Sequence, residues 1–149
     1  MKTLTLIGDQ VGREGTISFT MQLHDVATGR DEIEQLSYLA SNVTIDPNRC
    51  QIGYQWHVEQ DGRLLSDQYR MVELPLAKSV RVTSIDDEPG RRYVVSTYPK
   101  VYVVRIGRWD NSSGDNLYFQ NKDVAARVGT ATRQALELCD NREQQFRGR

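Results

Sequence analysis

The sequence predicts a mainly β protein that ends in one α-helix, and two patterns indicate this. Over residues 51–59 apolar and polar side chains alternate, as on a strand with one dry face, and similar Val- and Tyr-rich stretches recur along the chain. Over residues 122–139 the apolar positions fall three or four apart, which is the spacing of one helical face. We therefore expect a bent antiparallel sheet or small barrel covered by this final helix.

Size and composition indicate an ordinary soluble domain. The chain has 149 residues, of which 38% are hydrophobic and 26% charged, and this balance argues against a disordered chain. The formal net charge is −1, so no global positive field would attract nucleic acid or anionic lipid. No apolar run approaches the roughly 20 residues of a membrane-spanning helix. We expect one domain over residues 1–140 with a flexible tail at 141–149, either cytoplasmic or a mature exported fragment.

The chain before the hairpin is predicted to be mostly extended. Residues 3–7 alternate briefly and predict a short edge strand, whereas the polar, glycine-containing residues 8–15 predict a loop. Residues 16–23 alternate cleanly and predict a strand, and residues 25–31 predict a turn around Thr28-Gly29.

Residues 32–45 fit two patterns, a helical spacing that starts at Ile33 and a strand spacing that starts at Leu36. We favour a strand, because the segment stays extended up to residue 45. The Asp-Pro-Asn sequence at 46–48 then forms a tight turn into the next strand.

The clearest single element is a β-hairpin over residues 50–71. Its apolar positions are Ile52, Tyr54, Trp56 and Val58 on the first strand and Leu65, Tyr69 and Met71 on the second. Asp61-Gly62 between them suits a type I′ turn, whose two central residues need positive φ. The apolar phase slips at Val72 before Pro75, which indicates a β-bulge or the end of the strand.

The remainder is predicted as short strands followed by the helix. The predicted strands are residues 79–85, 93–98, 101–106 and 117–119, separated by an acidic turn at 86–90, by Pro99-Lys100 and by a loop at 110–115. Asn121 can cap the helix, and Asp123 in its first turn suits the helix dipole. Gly129 costs this helix about 1 kcal/mol relative to alanine, which indicates either close packing or simple tolerance.

The end of the chain resembles the pleckstrin-homology-like superfold. The strand Leu117-Tyr118-Phe119-Gln120 leads into residues 122–128, and the helix continues as Ala135-Leu136-Glu137-Leu138-Cys139, a layout that is also similar to small bacterial domains of unknown function. The resemblance covers residues 36–139 and implies a module that binds phosphoinositides or partner proteins. It departs from the family in one respect, since the helix lacks the usual core tryptophan and both tryptophans, Trp56 and Trp109, lie in the β region.

The lipid function implied by this resemblance is not carried over. Lipid-binding members have a basic cluster in the loop between the first two barrel strands. Here that loop is Asp46-Pro47-Asn48-Arg49, whose one cation and one anion hold too little charge for a polyphosphate head group.

The two cysteines, Cys50 and Cys139, leave two interpretations open. They could be two buried thiols, or they could form a disulfide that ties the first hairpin strand to the end of the last helix. The disulfide would imply an oxidising compartment. The cysteines form no CxxC pair and are not spaced to complete a zinc site with His24 and His57.

No catalytic residue, metal site or cofactor is predicted. His24 and His57 each fall on the polar side of a strand, which indicates solvated side chains. The chain has no GxSxG elbow and no glycine-rich phosphate loop. The pattern therefore favours a non-enzymatic role without excluding an enzyme.

Aromatic and basic residues form the candidate ligand or interaction surface. Its aromatic part, which could line a cavity, is Tyr54, Trp56 and Tyr69. Its basic part could form a stripe across adjacent strands, consisting of Arg91, Arg92, Lys100, Arg105 and Arg108 interleaved with Tyr93, Tyr98 and Tyr102. Single-stranded nucleic-acid binders use such stripes. The alternative is a solvated face whose arginines pair with Asp86, Asp87 and Glu88.

These observations favour a non-catalytic binding or interaction domain whose partner is a protein rather than a phosphoinositide or a nucleic acid. Two other functions stay open. One is a small-ligand-binding or enzymatic β-barrel with an aromatic-lined cavity, and the other is a single-stranded nucleic-acid binder that uses the basic and aromatic sheet face.

Overall fold

The computed structural model describes residues 2–87, 92–110 and 114–147, with side chains described up to Cys139 in the last segment. Its helices and strands are α1 (Lys2–Glu14), β1 (Ile17–Asp25), β2 (Asp31–Asp46), β3 (Gln51–Gln60), β4 (Arg63–Glu73), β5 (Ala77–Ser84), β6 (Tyr93–Tyr98), β7 (Tyr102–Arg108), β8 (Asp115–Phe119) and α2 (Lys122–Arg147). Short 3-10 turns at Leu74–Leu76 and Ile85–Asp87 flank β5.

The described strands form two antiparallel sheets. Sheet A has the order β4-β3-β2-β1-β6, and sheet B has the order β5-β7-β8. No described strand of one sheet pairs with the other, so the strands do not close into a barrel. The predicted class, mainly β with a C-terminal helix, is confirmed, and the bent-sheet arrangement forms rather than the barrel.

Sheet B is packed on both of its faces. Val104 and Ile106 of β7 join a cluster that contains the buried face of α2, whereas Val103 joins a second cluster with Phe19 and Leu36 of sheet A. Val103 and Val104 are neighbours in the chain and both are fully buried, which requires cover on both sides of the sheet. Sheet B is therefore the middle layer, with sheet A on one side and the final helix on the other.

The N-terminal segment is a helix, so the predicted strand at 3–7 and loop at 8–15 are wrong. Leu4, Ile7 and Val11 are buried at helical spacing, and Leu6, which suggested alternation, is partly exposed. Gly8 completes this face, because a Cβ there would lie 2.6 Å from the Ile45 side chain. α1 packs on α2 and β2, and this contact selects the helical period over the short alternating one.

The hairpin is confirmed, and its turn follows the predicted chemistry. Asp61 and Gly62 have φ values of 50° and 78°, both positive as a type I′ turn requires. β3 pairs along β4 with one register shift near Val58, and β4 ends at Glu73, where the phase slip indicated a strand end. Residues 31–46 are also a strand, as favoured over the helical alternative.

The final helix begins as predicted and extends further than predicted. The Asn121 side-chain oxygen accepts the backbone N–H groups of Asp123 and Val124 at 2.9 and 3.1 Å, which caps the helix. α2 continues to Arg147, beyond the predicted end at Cys139, so most of the predicted flexible tail is helical.

The two cysteines are joined in a disulfide. Their Cα atoms lie 6.2 Å apart, and both side chains are buried. The sequence leaves two interpretations open, two buried thiols or a disulfide. The structure contains the disulfide, which ties the start of β3 to α2.

Gly129 marks the closest approach of α2 to β5, so close packing rather than tolerance explains this glycine. A Cβ at Gly129 would lie 2.5 Å from Cγ2 of Val82, a stiff β-branched side chain. We expect Gly129→Ala to lower the free energy of unfolding by about 1 kcal/mol, because overpacking costs about 1–3 kcal/mol and outweighs the roughly 1 kcal/mol gained in helix propensity. Urea denaturation measures the change.

The control for this prediction is the same substitution in a Val82→Ala background. Removing the Val82 methyl groups relieves the contact, so there Gly129→Ala should be neutral or stabilising. A Gly129→Ala variant that is more stable than the wild type would contradict close packing at this point.

Candidate interaction surfaces

Two of the three aromatic residues predicted to line a cavity, Tyr54 and Trp56, pack in the core instead. Trp56 stacks on Tyr118 with ring centroids 5.7 Å apart, and Tyr38 contacts both rings. The space left beside Trp56 and Tyr118 is about 10 Å³, roughly the volume in which one water molecule fits. Tyr54 and Trp56 therefore stabilise the fold, and the space at these residues does not admit a metabolite.

The sequence pattern does not connect Tyr38 and Tyr118 with Trp56. Tyr38 shares the dry face of β2 with Leu36 and Ala40, so its burial could have been read from the strand phase. Tyr118 belongs to a five-residue strand, which is too short to reveal by phase which face meets the other sheet.

Polar groups surround the aromatic cluster without forming a catalytic arrangement. The guanidinium carbon of Arg70 lies 5.4 Å from the centroid of the Trp56 ring, a distance typical of a cation–π contact. Burial raises the pKa of Tyr38 and of Tyr54 to about 12, so both phenols stay protonated at neutral pH. Within the described ranges no group of His, Cys, Asp and Glu side chains could hold a metal ion.

Tyr69 lies on the opposite side of sheet A from Tyr54 and Trp56. It is half exposed, and its hydroxyl lies 3.3 Å from that of Thr44. It covers the backbone of Gly53, where any Cβ would overlap the Tyr69 ring end. The three predicted aromatic residues are thus divided by the sheet and do not form one surface.

The described arginines do not form the predicted stripe on adjacent strands. Arg92 directly precedes β6 in sheet A, whereas Arg105 and Arg108 belong to β7 in sheet B. Arg91 and Glu88, which also belong to the predicted stripe and its alternative, lie outside the described residues.

Three arginines of the predicted stripe, Arg92, Arg105 and Arg108, have acidic or amide partners. Arg92 donates to both carboxylate oxygens of Asp25 at 3.0 and 2.8 Å, and this contact lowers the pKa of Asp25. Arg108 donates to Asp110 at 2.9 Å, and Arg105 donates to the Asn116 side chain at 3.1 Å. The partners therefore differ from the predicted Asp86 and Asp87, which accept from Thr97 and Ser84.

The outer face of sheet A, opposite the face that carries Phe19 and Trp56, is broad and uncovered. No described helix or strand lies over it; α1, α2 and sheet B all pack on the other side. Its centre is polar, as shown by Ser18 donating to or accepting from Ser37 at 3.0 Å. Large apolar side chains with substantial exposure occupy the rest of this face: Ile33, Leu39, Leu64, Tyr69, Met71, Val94 and Tyr98.

His57 lies on this outer face among carboxylates. Its Nε2 is 3.1 Å from Glu59 and its Nδ1 is 3.8 Å from Asp67 on the paired strand. The hydrogen bond with Glu59 raises the pKa of His57, with a further contribution from the Asp67 charge. Asp67 also accepts from the Gln55 amide at 2.8 Å, so the group is a hydrogen-bonded surface network rather than an acid–base site with a nucleophile.

Comparison of the chain with protein-family models, with curated proteins and with solved structures found no match. None of the described helices is long and apolar enough to cross a membrane. The outer face of sheet A is therefore the candidate site on structural grounds alone.

Proposed function

We propose that this chain is a non-catalytic interaction domain that binds a protein partner with the outer face of sheet A. The observation that carries this proposal is the contrast between the two sheets. Sheet B is packed on both faces, whereas sheet A leaves one face of five strands uncovered in the described structure. An antiparallel sheet can face water on one side, but that side is then expected to be polar.

The composition of the outer face supports protein binding over simple solvation. Ile33 and Val94 have about the exposure of surface polar residues, at 64% and 61%, and Tyr98 is 81% exposed. Single exposed apolar residues are common, whereas here several share one sheet face around a polar centre, and this supports an interaction site. Tyrosine and methionine, both present here, are enriched where proteins meet.

The pleckstrin-homology-like layout supports a binding role in general terms. Strands followed by a helix that packs on the sheet are the basis of the resemblance, and α1 lies outside the residues that carry it. The turn that would bind a phosphoinositide has only Arg49, which lies 4.0 Å from Asp46, so this turn favours a protein over a lipid. Fold analogy alone does not determine function, and the proposal depends on the exposed face.

The disulfide supports an oxidising compartment for this domain. Such bonds persist in secreted or exported proteins and are rare where glutathione and thioredoxin keep thiols reduced. We therefore propose that the partner is met in an oxidising compartment.

Affinity capture with matched variants tests the proposed function. The face variant carries Ile33→Ser, Leu39→Ser and Tyr98→Ser, all on the outer face. The control variant carries Val26→Ser, Trp109→Ser and Leu138→Ser, whose side chains are similarly exposed elsewhere. We expect the immobilised wild type and control variant to retain a protein from extracts of the source cells. The face variant should retain at least about tenfold less of that protein, since apolar anchors dominate interface energy.

Thermal denaturation should show that both triple variants are folded, because exposed substitutions change stability little. Proteins retained equally by wild type, face variant and control would contradict the proposal.

A further inference from the structure

The register of sheet A determines which charged side chains share the outer face. On β3 and β4, Trp56 pairs with Gln68 on the inner face, so His57 and Asp67 pair on the outer face. On β1 and β2, His24 and Asp31 pair on the outer face in the same way. Register shifts interrupt the pairing between Ser41 and Thr44 and between Val58 and Glu59. Elsewhere the pairing and the alternation assign the outward positions of each strand.

The carboxylates and the basic side chains are distributed unequally between the two faces of sheet A, and five carboxylates lie on the outer face. The outward carboxylates are Asp31, Asp46, Glu59, Asp67 and Glu73, and the outward positions of the five strands hold no lysine or arginine. The arginines of these strands lie elsewhere: Arg70 faces the inner side over Trp56, and Arg63 pairs with Gln60 at the tip of the hairpin. This is unexpected in a chain with 19 basic and 20 acidic residues, where mixed signs would occur on a solvated face.

Contacts among these groups offset only part of the negative charge. His57 and His24 each contact carboxylates, and two imidazoles can offset at most two of the five negative charges. The Gln55 amide that binds Asp67 is neutral as well. Two of the outward carboxylates have an arginine nearby. Arg49 lies 4.0 Å from Asp46 in an exposed and therefore weak ion pair, and Glu73 at the end of β4 interacts electrostatically with Arg108. The face therefore presents apolar side chains between carboxylates.

We propose that the outer face of sheet A binds a partner whose contact surface combines lysine or arginine with apolar side chains. This inference rests on the proposed function and adds the chemistry of the partner. Opposite charges across an interface speed association and exclude wrong partners, while apolar anchors supply most of the affinity. A nucleic acid or an anionic membrane would be repelled by the same carboxylates.

Selection from a random phage-displayed peptide library tests the inference. Peptides are selected on wild type and then depleted on the face variant with Ile33→Ser, Leu39→Ser and Tyr98→Ser, so that those remaining depend on the outer face. We expect them to be enriched in lysine or arginine together with aromatic or aliphatic residues.

The affinities of the selected peptides for charge variants then measure how much the carboxylates of the outer face contribute to binding. Glu59→Gln with Asp67→Asn should weaken binding by about five- to tenfold, because two complementary charges are lost from the interface. Raising the salt from about 50 mM to about 500 mM should weaken wild-type binding more than variant binding. The matched control, Asp9→Asn with Glu137→Gln, removes the same charge from exposed positions on the helices and should leave affinity unchanged.

The outcomes separate the two proposals. Face-dependent peptides that are neutral or acidic, or that bind the Glu59 and Asp67 variant as tightly as wild type, would overturn the charge inference and leave the interaction surface standing. If no selected peptide depends on the face, the proposed function itself fails. A dimer of the free protein in analytical ultracentrifugation that the face variant abolishes would assign the face to a second copy and overturn the inference.

Discussion

Reduction of the Cys50–Cys139 disulfide should lower the free energy of unfolding by about 4–5 kcal/mol. The bond joins residues 89 positions apart, and a loop of that length loses a large conformational entropy when it is closed in the unfolded chain. Both sulfurs are buried, so the bond also holds α2 against the start of β3 at a point where the apolar cluster depends on that contact. An effect of this size is a large share of the total stability of a domain, which is about 5–15 kcal/mol.

Urea denaturation with and without a phosphine reductant measures this effect. The control is Cys50→Ala with Cys139→Ala, which should have a low midpoint in both conditions because it has no bond to lose. A thiol assay must show that both cysteines are reduced. If the urea midpoint of the wild type is then unchanged, the predicted contribution of the disulfide to the free energy of unfolding is contradicted.

Trp56→Ala should lower the free energy of unfolding by about 3–5 kcal/mol, the range for removing a large buried aromatic side chain. Trp56 is 4% exposed and contacts Tyr38, Tyr54 and Tyr118 directly. Its removal would leave a cavity between the two sheets and would also remove the ring beneath the Arg70 guanidinium. Because the neighbouring rings belong to three different strands, they can collapse into the cavity only by moving the sheets.

Trp109→Ala is the matched control, because Trp109 is the second tryptophan and is 66% exposed. Its removal should change stability by less than about 0.5 kcal/mol. Equal destabilisation by the two substitutions in urea denaturation would show that Trp56 does not hold the sheets together. Fluorescence provides a second measurement, since the Trp109→Ala protein should keep a spectrum typical of a buried indole until it unfolds.

Local patterns were sufficient for elements whose cause is local. The Asp61-Gly62 turn, the alternation of β3 and the Asn121 cap each depend on residues that are neighbours in the chain. The strand predicted over residues 32–45 rests on an extended segment and the tight turn that follows it, which are again local signals, and β2 spans Asp31–Asp46. Such elements can be predicted because their backbone geometry is set within a few residues.

The N-terminal helix shows where a local pattern is too short. Leu4 and Leu6 alternate over a few residues, whereas Leu4, Ile7 and Val11 define a helical face only when the following polar residues are included. α2 and β2 supply the surface that buries this face, and neither is close to α1 in the sequence. Helices of this length gain most of their stability from such packing rather than from propensity.

The sequence by itself determined that this protein consists mainly of antiparallel strands, that a helix follows them, and which side of β1 and β3 is buried. It did not determine the buried side of β4, whose Tyr69 and Met71 lie on the outer face whereas Val72 is buried. The tertiary structure alone decided that β6 joins β1 while β7 joins β5 and β8, which separates Arg92 from Arg105 and buries Trp56 beside Tyr118. The physical reason is that strand phase specifies two faces but not the neighbouring strand or the layer that covers each face. Those depend on contacts between residues far apart in the chain, and the uncovered face of sheet A, with its carboxylates, arises from them.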